Sequence, residues 1–331
     1  MSEIRCLRWG LLSTARINRA VIPTIRASKY SELVAVASRS KEKASEYAAS
    51  WGIPRIYSSY EELLADPEID VIYISLPNSL HAEWSIKALQ MGKHVMCEKP
   101  LTTSLQDADA VIDAAQKTGK VITEALMYLH HPQTKMVKQM VDTGEIGKLQ
   151  LIRGSFCYFN TRESDVRFDP TLGGGSLWDV GCYPIGYARY LTGTAPLEVY
   201  GHQVTGPTGI DLMYVGQMLF PDGVIAQFEC SFITERKAEI EIIGETGRIL
   251  IPEPYKPGKR TNIFLIHEGR ERKITIKGPE LYQGEIEDIE NAILHHQPAR
   301  VSLIDSRVNI MTIEALYRSA QLSTSVAIHF Q

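Results

Sequence analysis

No run of apolar residues in this 331-residue chain reaches the ~20 needed to cross a bilayer, which excludes a membrane-spanning helix of ordinary length. Charge of one sign is also lacking. A net charge of −4 and a pI near 6.2 leave no electrostatic case for nucleic acid or an anionic membrane. Cysteines are few, odd in number and widely spaced: Cys6, Cys97, Cys157, Cys182 and Cys230. No pair has metal-ligand spacing, and no HExxH or EF-hand pattern occurs, so a metal site has no support. The same spacing predicts reduced thiols and a cytoplasmic protein. Met1-Ser2-Glu3-Ile4-Arg5 carries no signal-peptide core. No repeat or low-complexity tract is visible.

What is present is enough for two domains, at roughly 100–200 residues each. A hydrophobic content of 44% supplies an ample core. From residue 5 to about 145, short apolar runs alternate with amphipathic stretches. Strands are predicted at 5–12, 33–37, 70–75, 95–97 and 121–124. Helices are predicted at 15–27, 41–51, 61–65, 80–91, 105–117 and 133–142. That alternation predicts a Rossmann-type, doubly wound parallel sheet. The pattern then changes. Strands at 149–158, 197–204, 213–220, 224–232, 238–243, 248–251, 263–267 and 273–276 predict a large, mainly antiparallel open sheet. Two helices finish the chain at 281–295 and 304–322, and Ile286, Ile289 and Ile293 form a core face on the first. The expected division is a nucleotide-binding α/β domain over 1–125, its last strand and helix extending to about 145, and an α+β domain over 126–331.

The turn after the first strand is where a phosphate-binding G-x-G-x-x-G belongs. Here it reads Ser13-Thr14-Ala15-Arg16-Ile17-Asn18, with all three glycines replaced. Ser13 and Ala15 are still small, helix amides can still hold a pyrophosphate, and Arg16 adds a cation. The second strand ends in Ser38-Arg39-Ser40, and no acid appears before Glu42. An acid at that place takes the ribose 2′-hydroxyl of NAD, whereas an arginine accepts a 2′-phosphate. Arg39 therefore favours NADP(H). Capping of a helix by Ser40 beside a solvated Arg39 explains the same residues.

Lys93-His94-Val95-Met96-Cys97-Glu98-Lys99-Pro100 reads as a buried strand ending in a charged corner. Carboxyl ends of parallel strands face the ligand crevice, and Pro100 keeps Lys99 out of helical backbone. A loop lysine in solvent and a lysine presented for chemistry both fit. His94 reads as a core histidine and His130-His131 as a surface pair at a helix start. Trp178 fits a core aromatic or a stacking platform equally well.

Several stretches taken together carry a resemblance. They are Trp9–Ile17, Leu76-Pro77-Asn78-Ser79-Leu80-His81, Cys97-Glu98-Lys99-Pro100, Glu124–Tyr128 and Gly173-Gly174-Gly175-Ser176-Leu177-Trp178-Asp179-Val180-Gly181-Cys182-Tyr183-Pro184. In this order the chain resembles the Gfo/Idh/MocA oxidoreductases, named for glucose-fructose oxidoreductase, inositol dehydrogenase and a rhizopine-catabolism protein. The branch it is most similar to holds NADP-dependent sugar and trans-dihydrodiol dehydrogenases. The resemblance implies that Lys99 is the catalytic lysine, Tyr183 its tyrosine partner and Asp179 the acid of the same motif. It implies a cofactor lining by Ser13–Ile17, Ser38, Arg39, Leu76, Pro77, Asn78, His81, Glu98 and Lys99, with Arg167 near the cofactor. It also implies a Glu-Lys-Pro corner built around a cis Lys-Pro bond.

The chemistry that follows is hydride transfer between NADP(H) and a sugar, polyol or ketosugar. The cationic Lys99 would lower the pKa of the Tyr183 phenol toward the working pH. If residues 179–183 are helical, Asp179 and Tyr183 lie one turn apart on a shared face. A trans-1,2-dihydrodiol dehydrogenase and a non-catalytic nucleotide sensor are the alternatives. The open sheet, with one face to cover, and the family resemblance together imply a homodimer or homotetramer.

Overall fold

The structure is a computed structural model that describes residues 5–162 and 164–329. Residues 1–4, the start of the stretch without a signal-peptide core, lie outside them. The chain divides into two compact units. One comprises the residues up to Met127 together with Tyr282–Ser306, and the other comprises Tyr128–Leu281 with the chain from Arg307 onward.

The first unit is a parallel sheet of β1 (Leu7–Leu12), β2 (Ser31–Ala37), β3 (Arg55–Tyr57), β4 (Val71–Ile74), β5 (His94–Glu98) and β6 (Ile122–Ala125), in the order β3-β2-β1-β4-β5-β6. Its helices are α1 (Asn18–Ala27), α2 (Lys41–Trp51), α3 (Tyr60–Ala65), α4 (His81–Gln90) and α5 (Leu105–Thr118). Serine side chains open three of them: Ser40, Ser59 and Ser104 accept the amides of Lys43, Glu62 and Asp107. Every residue of β4 is buried, as a central parallel strand requires. Strand order reverses between β1 and β4, and the ligand crevice of such a sheet opens at the carboxyl ends there.

Two local expectations change. Helix α1 begins at Asn18 rather than Ala15, because Ser13 takes a positive φ of 137° and the loop occupies the intervening residues. The edge strand β3 has only three residues, one of them Arg55, which is too short for a hydrophobic pattern to mark.

The second unit opens with α6 (Pro132–Asp142). Its sheet contains β7 (Leu149–Cys157), β8 (Glu198–Thr205), β9 (Asp211–Leu219), β10 (Ile225–Ser231), β11 (Lys237–Gly244), β12 (Gly247–Ile251), β13 (Arg260–His267), β14 (Arg270–Lys277) and β15 (Val326–Ala327). Helix α7 (Cys182–Thr192) precedes β8 in the chain. The strand order is β14-β13-β12-β11-β7-β10-β9-β8-β15, antiparallel except where β7 meets β10. Buried and exposed residues alternate along β9, Gly216 and Met218 inward and Val215, Gln217 and Leu219 outward. On the outward face Arg153, Glu241 and Arg248 form an ion-pair ladder beside a groove of about 580 Å³.

The last two helices are α8 (Gln283–Leu294), which belongs to the first unit, and α9 (Leu303–Leu322), within which the division falls. Ile286 and Ile289 of α8 join the core formed by Trp9, Leu11, Val21, Ile22, Ile25, Val36, Tyr73 and Met96. Among the described residues, no helix is long and apolar enough to cross a membrane.

Candidate active site

The loop after β1 holds its shape without glycine. The Ser13 hydroxyl lies 3.1 Å from the Ser75 carbonyl and 2.8 Å from the Ser75 hydroxyl, and accepts the Ala15 amide at 3.2 Å. Asn18, fully buried where the third glycine would stand, donates to the Ser13 carbonyl and accepts from Ser75 Oγ at 2.7 Å. The ends of β1 and β4 are thereby tied together at the reversal point of the sheet. The first turn of α1 holds no acidic residue and no side-chain cap, so its positive end meets the loop unneutralised. Ser13, Thr14, Ala15 and Ile17 are half-buried there and Arg16 is exposed. This arrangement fits a pyrophosphate.

At the end of β2 the Ser38 side chain is buried and accepts the Ser40 amide at 3.3 Å. Arg39 projects into solvent beside the Tyr60 phenol. The first acid after it, Glu42, accepts the Ser40 hydroxyl at 2.8 Å. A planar cation flanked by hydroxyls suits a phosphate better than a diol.

The Glu98-Lys99-Pro100 corner follows β5, and its Lys99-Pro100 bond is cis. Leu76 is buried after β4, while Pro77 and Asn78 are half-buried and lead into one 3₁₀ turn before α4. His81 connects these two segments. Fully buried, it sets one ring nitrogen 2.7 Å from the Pro100 carbonyl and the other 2.8 Å from the Leu76 carbonyl. Burial and the neighbouring Lys99 charge pull its pKa down, against two carbonyls that favour a doubly protonated ring. The role this geometry gives His81 is to brace the corner against the loop. Glu98 turns toward the sheet interior and accepts the Tyr73 phenol at 2.5 Å.

In the second unit Tyr183 lies in the first turn of α7, 4% exposed, inside a wall of rings. Phe156, Tyr255 and Tyr128 stand 5.2, 5.5 and 5.6 Å away, centroid to centroid. Asp179 occupies the preceding π-helical turn, Leu177–Gly181. The segment is helical, and whether it is wound i→i+4 or i→i+5, residues four apart stay about one turn from each other, so Asp179 and Tyr183 keep a common side of it. Asp179 Oδ2 accepts from Arg167 Nε at 2.7 Å and from Tyr158 Oη at 3.0 Å. Arg167 also pairs with Asp165. The Asp179 carboxylate raises the guanidinium pKa, and burial followed by the same carboxylate raises the Tyr158 phenol.

The glycine run makes this cluster possible. A Cβ at Gly174 would stand 2.5 Å from the Arg167 carbonyl, and the Gly175 amide donates to that same carbonyl. Gly175 has φ +124°, and a Cβ there would lie 2.3 Å from Asp211 Oδ1. Trp178 is buried against Tyr317.

Residues 7–126 match the family model described as oxidoreductase family, NAD-binding Rossmann fold, and residues 134–250 match the GFO/IDH/MocA C-terminal domain. The chain belongs to the Gfo/Idh/MocA oxidoreductase family. It is 35% identical to a D-xylose 1-dehydrogenase (NADP(+)) of Haloferax volcanii, over 97% of this chain and 99% of that protein. It is 30% identical to a trans-1,2-dihydrobenzene-1,2-diol dehydrogenase of Danio rerio over 74% of each. The crystal structure of KijD10, a 3-ketoreductase from Actinomadura kijaniata in complex with NADP and TDP-benzene, superposes with a TM-score of 0.91. That likeness comes at 27% identity and covers 95% of this chain and 98% of that one. Variants of KijD10 altered at one lysine and at one tyrosine have also been solved, and those two positions are as far apart in its chain as Lys99 and Tyr183 are here.

Within this Gfo/Idh/MocA chain the structure adds residues that the sequence did not mark. Tyr158 follows β7 and carries no motif, yet its phenol reaches Asp179. Asp211 accepts from Ser176 Oγ at 2.6 Å, the Leu177 amide at 2.8 Å and Tyr317 Oη at 2.6 Å, and so fixes the start of the π-turn. The histidines divide. His94 is a satisfied histidine, as expected: it accepts the Val121 amide at 3.0 Å, and burial, then Lys120, lowers its pKa to about 4. His130 and His131 are buried rather than at the surface, 6% and 2% exposed, and His131 Nδ1 caps α6 by accepting the Gln133 amide.

Proposed function

We propose that this protein is an NADP(H)-dependent oxidoreductase that transfers hydride between the nicotinamide and the alcohol or carbonyl of a sugar-type substrate, with Lys99 and Tyr183 as its acid–base pair. The observation that carries the reading is the corner after β5. Lys99 leaves a parallel sheet at its carboxyl end, and His81 ties the next carbonyl to the loop after β4. When bound, the nicotinamide supplies or accepts the hydride. In this reading the Tyr183 Oη gives the proton to the carbonyl on reduction and takes it back on oxidation. The Lys99 ammonium favours the phenolate and brings the phenol toward the working pH. Asp179, held by Arg167 and Tyr158, orients substrate hydroxyls. Arg39, with the hydroxyls of Ser38 and Ser40, receives the 2′-phosphate.

The substrate class is supported by the xylose dehydrogenase likeness, which extends over nearly the whole chain, whereas the dihydrodiol dehydrogenase likeness extends over three quarters. The equal separation of the lysine and tyrosine positions in KijD10 supports the pair. A homo-oligomer assembled through the open face of the second-unit sheet completes the reading.

The test is turnover with NADP+ or NADPH across a panel of aldoses, ketosugars, polyols and diols. Lys99→Met and Tyr183→Phe should each lose on the order of 100-fold or more in kcat while keeping the wild-type melting temperature. Arg39→Ala should lower kcat/KM with NADP+ far more than with NAD+. Wild-type turnover in either of the first two variants removes that residue from the mechanism. A wild-type preference for NAD+ refutes the cofactor assignment.

A further inference from the structure

Glu285 is a buried acid that the mechanism above leaves unused. It stands in the first turn of α8, 2% exposed, and neither of its carboxyl oxygens has a hydrogen-bond partner among the described residues. An ionised carboxylate in that state is very costly, so the group is neutral unless something compensates it. Sheet register identifies its surroundings. Tyr73 pairs with Met96, and Glu98 pairs with Ala125. Alternation along the strands puts Tyr73, Met96, Glu98 and Ala125 on one face, the face that α8 covers with Ile286 and Ile289. Tyr282 lies three residues before Glu285 at the start of the same helix. Helix α1 brings Val21, Ile22 and Ile25 to this hydrophobic core. The other acid of β6, Glu124, points to the opposite face and accepts the Leu101 amide at 3.1 Å. Among the described residues, Glu98 acts on Glu285, and Tyr73 and Tyr282 feel both carboxyl groups.

Glu285 is buried and Glu98 half-buried on the same covered face, so ionising both together is disfavoured. Burial first and the Glu98 charge second hold the Glu285 carboxyl well above the usual carboxylate range. The same two causes raise the Tyr73 and Tyr282 phenols. Tyr73 already donates to Glu98 Oε1. A second donor is the one thing a protonated Glu285 has to offer.

We propose that Glu285 is a positioning residue for the Glu98-Lys99-Pro100 corner: it keeps its proton, donates it toward the Glu98 carboxylate, and with Tyr73 holds that carboxylate between two donors so that the pair carries one negative charge beside Lys99. The consequence for turnover rests on the catalytic reading of Lys99, whereas the proton on Glu285 does not. The carboxyl ¹³C resonances of the full chain report that proton directly. A glutamate resonance at the neutral-acid position near pH 7, absent from Glu285→Gln, is the expected result. A Glu285 resonance titrating in the ordinary carboxylate range overturns the proposal.

Turnover separates positioning from packing, because glutamine keeps the shape and a donor while leucine keeps only bulk. Glu285→Leu should lose on the order of tenfold in kcat with little change in the KM for NADP+, and Glu285→Gln should recover most of it. Equal losses in the two variants, or no loss in Glu285→Leu, overturn the positioning role. Unaltered turnover in Lys99→Met would sink the catalytic reading instead, and the ¹³C result would stand apart from it.

Discussion

Ser13 shows how one side chain can replace a glycine at a nucleotide turn. Its φ of 137° is a conformation that L-residues avoid, at a cost of roughly 1–3 kcal/mol. The hydroxyl offsets that cost through its contacts with Ser75 and the Ala15 amide. Two substitutions separate the contributions. Ser13→Gly removes the hydroxyl and the strain together, whereas Ser13→Ala removes the hydroxyl and keeps the strain. In urea unfolding, Ser13→Ala should therefore be less stable than Ser13→Gly by about 1–2 kcal/mol. Equal stability of the two variants would mean that the positive φ costs nothing here. The place of this turn was legible in the chain, because a strand and an amphipathic helix flank it. Its means of closure was not, since no pattern marks Asn18 folding back onto Ser13. Glu285 is hidden for a related reason: it sits beside Ile286, on the helix whose isoleucines mark a core face.

At the scale of the element, the π-turn at Leu177–Gly181 is the least legible part of the candidate site. A single i→i+5 turn has no residue signature, and the spacing of Asp179 and Tyr183 suggests ordinary α-helix. Asp211 supplies the anchor, far off in the chain on β9. Its carboxylate takes both the Ser176 hydroxyl and the Leu177 amide on Oδ2 and the Tyr317 hydroxyl on Oδ1. Burial raises its pKa, and these donors act against that rise. Asp211→Asn turns one acceptor oxygen into a donor that faces other donors. It should cost about 1–3 kcal/mol of stability by urea unfolding. It should also lower kcat by loosening the turn that carries Asp179. The conservative Tyr317→Phe variant deletes one donor and should cost less. If Asp211→Asn is as stable as wild type, the carboxylate does not anchor the turn. By contrast five of the six parallel strands were legible, because buried runs such as Val71–Ile74 suit a central strand, whereas the three-residue edge strand β3 carries no such run.

For the whole molecule, the proposed assembly rests on the outward face of the second-unit sheet. Val215, Leu219 and Ile225 stand on it at 45%, 39% and 40% exposure. Ile225 pairs with Leu219, and Val215 with Glu229, so these apolar side chains adjoin the groove lined by Arg153, Gln217, Gln227 and Lys237. Solitary apolar residues on a surface are ordinary, but several on one sheet face beside ion pairs suit the centre and rim of an interface. The sheet also presents the same surface on every copy, which a two-fold contact requires. The protein should sediment as a dimer or tetramer at micromolar concentration. A charge placed mid-face by Val215→Glu meets its own copy across a two-fold contact and is buried without a partner. That variant should dissociate more readily by tenfold or more, on the order of 2 kcal/mol, while its monomer keeps the wild-type circular dichroism spectrum. A wild-type monomer, or a Val215→Glu variant that assembles as tightly as wild type, would exclude this face as the interface. The ion pairs offer an internal control. Arg248→Ala leaves the apolar centre intact and removes one exposed charge from the rim, so it should weaken assembly far less than Val215→Glu.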